Sequence, residues 1–198
     1  MKKRLARKKP QWDEILRESH LIAAVRDKDG LQRALISPLK IVYLLFGNPM
    51  NITGMLSSVC AEGKLPLVNA DLLQGFSRDA YAVEFLANSG TAGIISTHHE
   101  TLRAAHSMEL ITVLRTFMID SAAVDASRRF LAHFHPDAIE LLPAVAAPLV
   151  LEHVRKDHPD LQVIAGGLVH DWMTVEGLIS AGVDAISISN ASFWEQGL

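Results

Sequence analysis

The 198-residue chain contains a single cysteine, Cys60. One cysteine cannot close an internal disulfide or build a cysteine zinc site. No apolar stretch is long enough to cross a bilayer. The start, MKKRLARKKP, has the charge of a secretory leader, but QWDEILRESH follows where an apolar core should be. Together with the cysteine count, this points to a cytoplasmic protein. No low-complexity linker interrupts the body, and no sequence repeat is visible. Familiar catalytic sets are missing too. There is no HExxH, no paired metal-ligand spacing, and no serine–histidine–acid arrangement that can be placed.

What is present suits a globular domain. Hydrophobic residues make up 49% of the chain and charged residues 21%, enough for a sizeable core. The net charge of −3 is unevenly spread. Lys2, Lys3, Arg4, Arg7, Lys8 and Lys9 supply six of the 19 cations, and without them the body stands at −9. Such a tail reads either as a solvated, frayed terminus or as an arm for nucleic acid or another polyanion.

Eight short apolar runs recur along the body: LIAAV (21–25), IVYLLF (41–46), PLVNA (66–70), GIIST (93–97), VLRTFMI (113–119), AIELL (138–142), QVIAG (162–166) and AISIS (185–189). Helical spacing fills the intervals. Asn48-Pro49 reads as a cap before a face of Ile52, Met55, Leu56 and Val59, with Gly63 as the stop. Ser77 reads as the cap of a helix burying Tyr81, Phe85 and Leu86. Ser121 reads as the cap of a segment running to Phe134. Asp171 reads as the cap of a helix burying Trp172, Val175, Leu178 and Ile179 and ending at Gly182. Met50, Met55 and Met108 fall at helical spacing and read as core, while His133, His135, His153 and His158 read as surface.

Strands alternating with helices imply parallel pairing. Eight such units predict a compact single-domain (β/α)8 barrel over 20–198, preceded by a basic tail and lead-in over 1–19. The alternative is an open doubly wound sheet, but no Gly-rich dinucleotide turn follows the first run. In a barrel the working face lies at the carboxyl ends of the strands, with anions often held after strands seven and eight. The seventh run ends in Gly166-Gly167 and the eighth in Ser187, Ser189 and Asn190. Glycine lets an anion approach backbone N–H groups, although a tight turn also favours it. Asn69, Asp71, Thr97, His98 and Asp120 mark other strand ends, while Arg115 lies within the fifth run and Glu140 interrupts the sixth. Asp71, Arg115 and Glu140 must pair with one another or with a polar ligand, because buried charge is costly when unpaired.

Several segments taken together carry a resemblance: AAVRD, NADLLQGFSRDAYAVEFLA, GIISTH, MIDSAAV, PDAIELLPA, VIAGGLV and GVDAISISNASFW. From about His20 to Trp194 the chain resembles the glycerol-3-phosphate-responsive antiterminator family of glycerol uptake operons. The resemblance implies a compact phosphate-binding barrel with no cofactor and no enzymatic activity. It implies a regulator that binds glycerol 3-phosphate and then leader mRNA, and a homodimer is one option for its assembly. Carried over by motif, the implied positions are Asp71 and Gly75 in DL-x-x-G, Thr97 in IIST, and Arg115. Asp120 and Ser121 fall in IDS, Glu140 and Pro143 in IE-x-LP, Gly166 and Gly167 in AGG, and Ser189-Asn190 in the last motif. Three positions depart from the family pattern. His98 stands where a basic residue is usual, Asn69 where histidine is common, and Ala144 where glycine follows the proline. A barrel enzyme acting on a small phosphorylated substrate, such as a glycerol-phosphate prenyltransferase or a sugar-phosphate isomerase, remains the alternative. A diverged member sensing another phosphate is a third reading.

Overall fold

The computed structural model describes residues 8–195; for Lys8, Lys9 and Pro10 only the backbone is described. Lys2, Lys3, Arg4 and Arg7 lie outside the described residues. Eight parallel strands close into one barrel in chain order. They are β1 (Leu21–Val25), β2 (Ile41–Leu44), β3 (Leu65–Asn69), β4 (Gly93–Ser96), β5 (Ile111–Phe117), β6 (Ala138–Leu142), β7 (Gln162–Gly166) and β8 (Ala185–Ile188). The ring closes where Leu21, Ile22 and Ala23 pair with Ile186, Ser187 and Ile188. The open-sheet alternative is thereby excluded.

The lead-in to β1 is itself structured. Helix α1 (Lys8–Glu18) ends just before β1. Helices α2 (Lys28–Ile36), α3 (Ile52–Ala61), α4 (Ala80–Asn88), α5 (His99–Ser107), α6 (Ser121–Leu131), α7 (Ala147–Asp157) and α8 (Trp172–Ser180) follow β1 to β7 in turn. Strand residues point alternately inward and toward the helices. Two apolar cores result. The inner one holds Ile22, Tyr43, Leu67, Ile95, Val113 and Ile164. The outer one packs Ala23, Val42, Val68, Ile94 and Val163 against helix faces such as Leu56, Val83 and Leu178. Helix α1 contributes Trp12, Ile15 and Leu16 to the inner core. It therefore plugs the end at which the strands begin, leaving the carboxyl ends open for a ligand.

A recurring cap sets the helices that follow the odd strands. Asp27, Asp79, Asp120 and Asp171 each accept a hydrogen bond from the backbone N–H three residues on, at 2.7, 2.9, 2.9 and 2.7 Å. Aspartate there satisfies one of the orphan N–H groups of the first turn. This corrects two expected caps. Asp79 rather than Ser77 starts α4, so its buried face is Val83 and Leu86. Tyr81 is 82% exposed and Phe85 40% exposed. Asp120 rather than Ser121 caps α6, which ends at Leu131 rather than Phe134. Before α3 the cap position is Asn51, and Asn48 instead accepts from Met50 N–H in the preceding turn. Met50 sits in that turn and is exposed rather than core. β5 begins at Ile111, two residues earlier than expected, and ends at Phe117. Gly63 and Gly182 end their helices in the left-handed conformation, as expected from sequence.

Trp12 is fully buried beneath the barrel. Replacing a buried tryptophan by alanine removes a large apolar surface and leaves a cavity. Trp12→Ala should lower the unfolding free energy by about 3–5 kcal/mol in chemical denaturation. Tyr81→Ser, on the solvent side of α4, should stay within about 0.5 kcal/mol of the wild type.

Candidate functional site

At the carboxyl ends of β7, β8 and β1 lies a cleft of about 220 Å³. That volume suits a small metabolite better than a nucleotide. Its polar rim comes from Arg26, His170, Ser189 and Asn190, and its floor from Arg115, Glu140 and Ser187. Gly167 and Leu168 form one wall.

The floor is organised around Glu140, which is 2% exposed. Its Oε1 accepts a hydrogen bond from Ser187 Oγ at 2.6 Å. Its Oε2 faces Arg115 Nε at 3.4 Å in an ion pair without hydrogen-bond geometry. Burial raises the Glu140 carboxyl above its ordinary range; Arg115, then the Ser187 hydrogen bond, oppose that rise. Burial likewise pushes the Tyr43 phenol well up, reinforced by the Glu140 charge and opposed by Arg115. The Arg115 guanidinium carbon also lies 5.7 Å from the centre of the Phe117 ring.

The two glycines of AGG do different jobs. Gly166 is buried and does not line the cleft. A Cβ there would lie 2.5 Å from Ser187 Oγ and 3.1 Å from Glu140 Oε1. Gly166 therefore leaves room for the Ser187–Glu140 hydrogen bond, rather than for an anion. Gly167 does line the cleft and has φ of +77°, where glycine is favoured. Leu168 follows at φ of +59°, a left-handed conformation that is unusual for leucine.

Asn190 accepts from Ser192 N–H and Oγ–H at 3.1 and 2.9 Å. With its oxygen engaged twice, the side-chain amide offers its NH₂ group as a donor. Arg26 lines the cleft without having been expected there. It directly follows the first apolar run, so the rule that selects the other strand ends selects it too. His170, two residues beyond the Gly167-Leu168 turn, is likewise an unexpected member of the rim.

The other expected residues sit elsewhere. Asp71 is held by the end of β4, accepting from Ser96 Oγ at 2.6 Å, Thr97 N–H at 2.7 Å and Thr97 Oγ at 2.9 Å. Asn69 accepts from Asp71 N–H at 3.1 Å, while its own buried NH₂ has no hydrogen-bond partner. His98 is exposed at the start of α5, and its N–H donates to Ser96 Oγ. Asp120 is the exposed cap of α6. Asn69, Asp71, Thr97, His98 and Asp120 are absent from the cleft lining. Among the described residues, no cluster of three or more histidine, cysteine or acidic side chains could hold a metal.

Fold and cleft define the class: a compact (β/α)8 barrel with a small polar site over its last two strands and its first. Residues 21–194 match the family model described as glycerol-3-phosphate responsive antiterminator, and the chain belongs to that family. It is 34% identical over 184 residues to the uncharacterized protein YgcP of Escherichia coli strain K12, covering 91% of this chain and 94% of that protein. Among solved structures it is similar to the glycerol uptake operon antiterminator regulatory protein of Listeria monocytogenes. That match has a TM-score of 0.83 and 31% identity over 89% of this chain and 95% of the other. A glycerol uptake operon antiterminator-related protein of Thermotoga maritima matches with a TM-score of 0.81 and 28% identity, covering 90% of this chain and 99% of that one. The family is one of regulators. No helix among the described residues is long and apolar enough to cross a membrane.

The packing at Gly166 can be tested directly. Gly166→Ala should push Ser187 Oγ off Glu140 and lower stability by about 1–3 kcal/mol, the cost of an unsatisfied buried acceptor. Gly166→Ala combined with Ser187→Ala should lose less than the two single variants together, because the second change removes the clashing atom. Strict additivity in denaturant titrations would contradict the assignment.

Proposed function

We propose that the chain is a regulator that binds glycerol 3-phosphate in the cleft over β7, β8 and β1 and acts on the leader mRNA of glycerol-utilisation genes to prevent early termination. The observation that carries the ligand assignment is the donor set at the rim. Arg26 supplies a permanent cation beside the Ser189 hydroxyl, the Asn190 amide and the backbone at Gly167. Arginine suits phosphate because its planar fork can bond two oxygens at once. The charge pattern orients the ligand. Glu140 and Arg115 offset one another at the floor, whereas the Arg26 cation stands at the rim without an acid among the rim residues, so the phosphate belongs at the rim and the glycerol moiety points inward. His98, exposed at the start of α5, has no part in this arrangement.

The barrel-enzyme alternative has one observation in its favour. Glu140 is a buried acid with a raised pKa lining a cleft, as a general acid often is. Phosphorus NMR of glycerol 3-phosphate with a prenyl diphosphate, and separately of a sugar phosphate, separates the two: a regulator leaves the phosphate species unchanged, whereas an enzyme releases diphosphate in the first or replaces the sugar-phosphate signal in the second.

For the ligand, Arg26→Ala is the informative variant, since any side chain at Gly167 would strain its left-handed backbone as well as block the site. A ligand at 100 times its Kd stabilises the folded state by about 2.7 kcal/mol. Arg26→Ala should weaken glycerol 3-phosphate at least tenfold and remove about half of that stabilisation, without lowering the melting temperature of the free protein. An unchanged ligand-induced shift would remove Arg26 from the site.

For the RNA, the cations to test are those before α1. Lys8 and Lys9 belong to α1, which plugs the barrel, so a clean deletion stops at residue 7. Removing residues 2–7 takes away Lys2, Lys3, Arg4 and Arg7. Each phosphate of a single strand that a cation ceases to neutralise changes the slope of log K against log salt by about 0.7. If the tail holds leader RNA, filter binding across a salt series should show a slope flatter by roughly one to three units. Equal slopes would place the RNA-binding surface on the body.

A further inference from the structure

Six large apolar side chains stand in solvent at the open end of the barrel, on three consecutive loops. Phe117 ends β5 and Ile119 follows it, Val145 and Leu149 follow β6, and Leu168 and Met173 follow β7. They range from 48% exposed at Phe117 to 83% at Ile119. Eleven large apolar side chains are exposed among the described residues, so more than half gather here. The three loops are joined through their backbones. Met118 N–H donates to the Leu142 carbonyl at 2.7 Å, and Ala144 N–H donates to the Gly167 carbonyl at 3.2 Å. The six side chains therefore form one ridge beside the cleft.

Apolar residues exposed singly need no explanation, but a contiguous patch does. At roughly 200 Å² for each whole residue, these exposures leave on the order of 800 Å² of apolar surface. One partner of a stable protein interface buries about that much. Charge decides the kind of partner. Residues 117–122, 143–149 and 168–173 contain no lysine or arginine. Their two acids, Asp120 and Asp171, are held as helix caps. RNA or an anionic lipid surface finds no cation there. A second copy of the chain does fit. A two-fold contact puts the same patch on both sides, so the patch must complement itself. An apolar ridge complements itself, whereas the acidic surfaces of two such bodies repel.

The backbone at Leu168 is an independent sign. Its φ of +59° lies in the left-handed region that leucine rarely adopts. The strain presents a side chain that is 65% exposed, so the single chain gains little packing from it. Strained residues of this kind cluster where a function uses them.

We propose that this ridge is the face on which a second copy of the chain docks, making a two-fold homodimer through the loops after β5, β6 and β7. Leu168 also lines the cleft, so the dimer face borders the proposed ligand site without depending on what fills it.

Sedimentation velocity of the full chain, from about 1 to about 100 μM, tests this. The wild type should sediment as a dimer. Leu149→Glu combined with Met173→Glu sets like charges against each other across the contact and should weaken the dimer by about a hundredfold or more. Leu149→Ser combined with Met173→Ser adds no charge and should weaken it by about tenfold. Both positions lie in solvent in the single chain, so these variants should keep the wild-type circular dichroism. Met50→Glu combined with Tyr81→Glu charges the exposed apolar residues on the other side of the barrel mouth and should leave the dimer intact. A wild-type monomer throughout this range would overturn the inference. So would a dimer that survives both changes at Leu149 and Met173, or one that Met50→Glu with Tyr81→Glu breaks instead. Species that grow beyond two copies with concentration would overturn it as well, because a two-fold face closes at two.

Discussion

A carboxylate buried on β6 constrains the whole upper half of this barrel. Glu140 cannot be hydrated where it stands, and an isolated buried charge costs several kcal/mol. Its neighbours are arranged around that requirement. Ser187 reaches across from β8, Arg115 rises beside it on β5, and β7 runs between β6 and β8 with a glycine at the level where the bond passes. Removing one partner of a buried pair typically destabilises by about 3–5 kcal/mol, because the other charge is then stranded. Three strands besides β6 thus commit a residue to one carboxylate, and the cleft opens directly above it. The plug of α1 at the opposite end makes this the available mouth.

The cleft separates two kinds of chemistry along its depth. Cation, hydroxyl and amide donors stand at the rim, and a carboxylate with a guanidinium stands at the floor. A phosphorylated polyol has the same polarity along its length, with a dianion at one end and neutral hydroxyls at the other. The left-handed turn at Gly167 and Leu168 belongs to the rim, and the buried Gly166 to the floor. Two adjacent glycines thus serve two layers of one site.

The barrel was legible because each strand is a short apolar run and most helices begin or end with recognisable turn chemistry. Register within helices was harder to read. Ser77 and Asp79 are both competent caps, and choosing the serine turned the predicted face toward Tyr81 and Phe85, which are exposed. At Asp120 and Ser121 the capping side chain belongs to the residue just before the one chosen. The site was legible as polar residues at strand ends and two charges inside strands, and Glu140, Arg115, Gly167, Ser189 and Asn190 do meet in one cleft. Asp71 belongs to the same set by position, yet three donors at the end of β4 satisfy it. A polar residue at a strand end does not declare whether its partners come from the chain or from a ligand; that depends on side-chain direction. Arg26 was missed although its position obeys the same rule.

A crystal structure of the chain with glycerol 3-phosphate would show which layer of the cleft takes the phosphate. In it the phosphate should lie within hydrogen-bonding reach of Arg26 and of Ser189 or Asn190, with the glycerol moiety pointing inward from the rim. A phosphate seated on Arg115 at the floor, or a ligand bound instead among Asp71, Thr97 and His98, would contradict that placement.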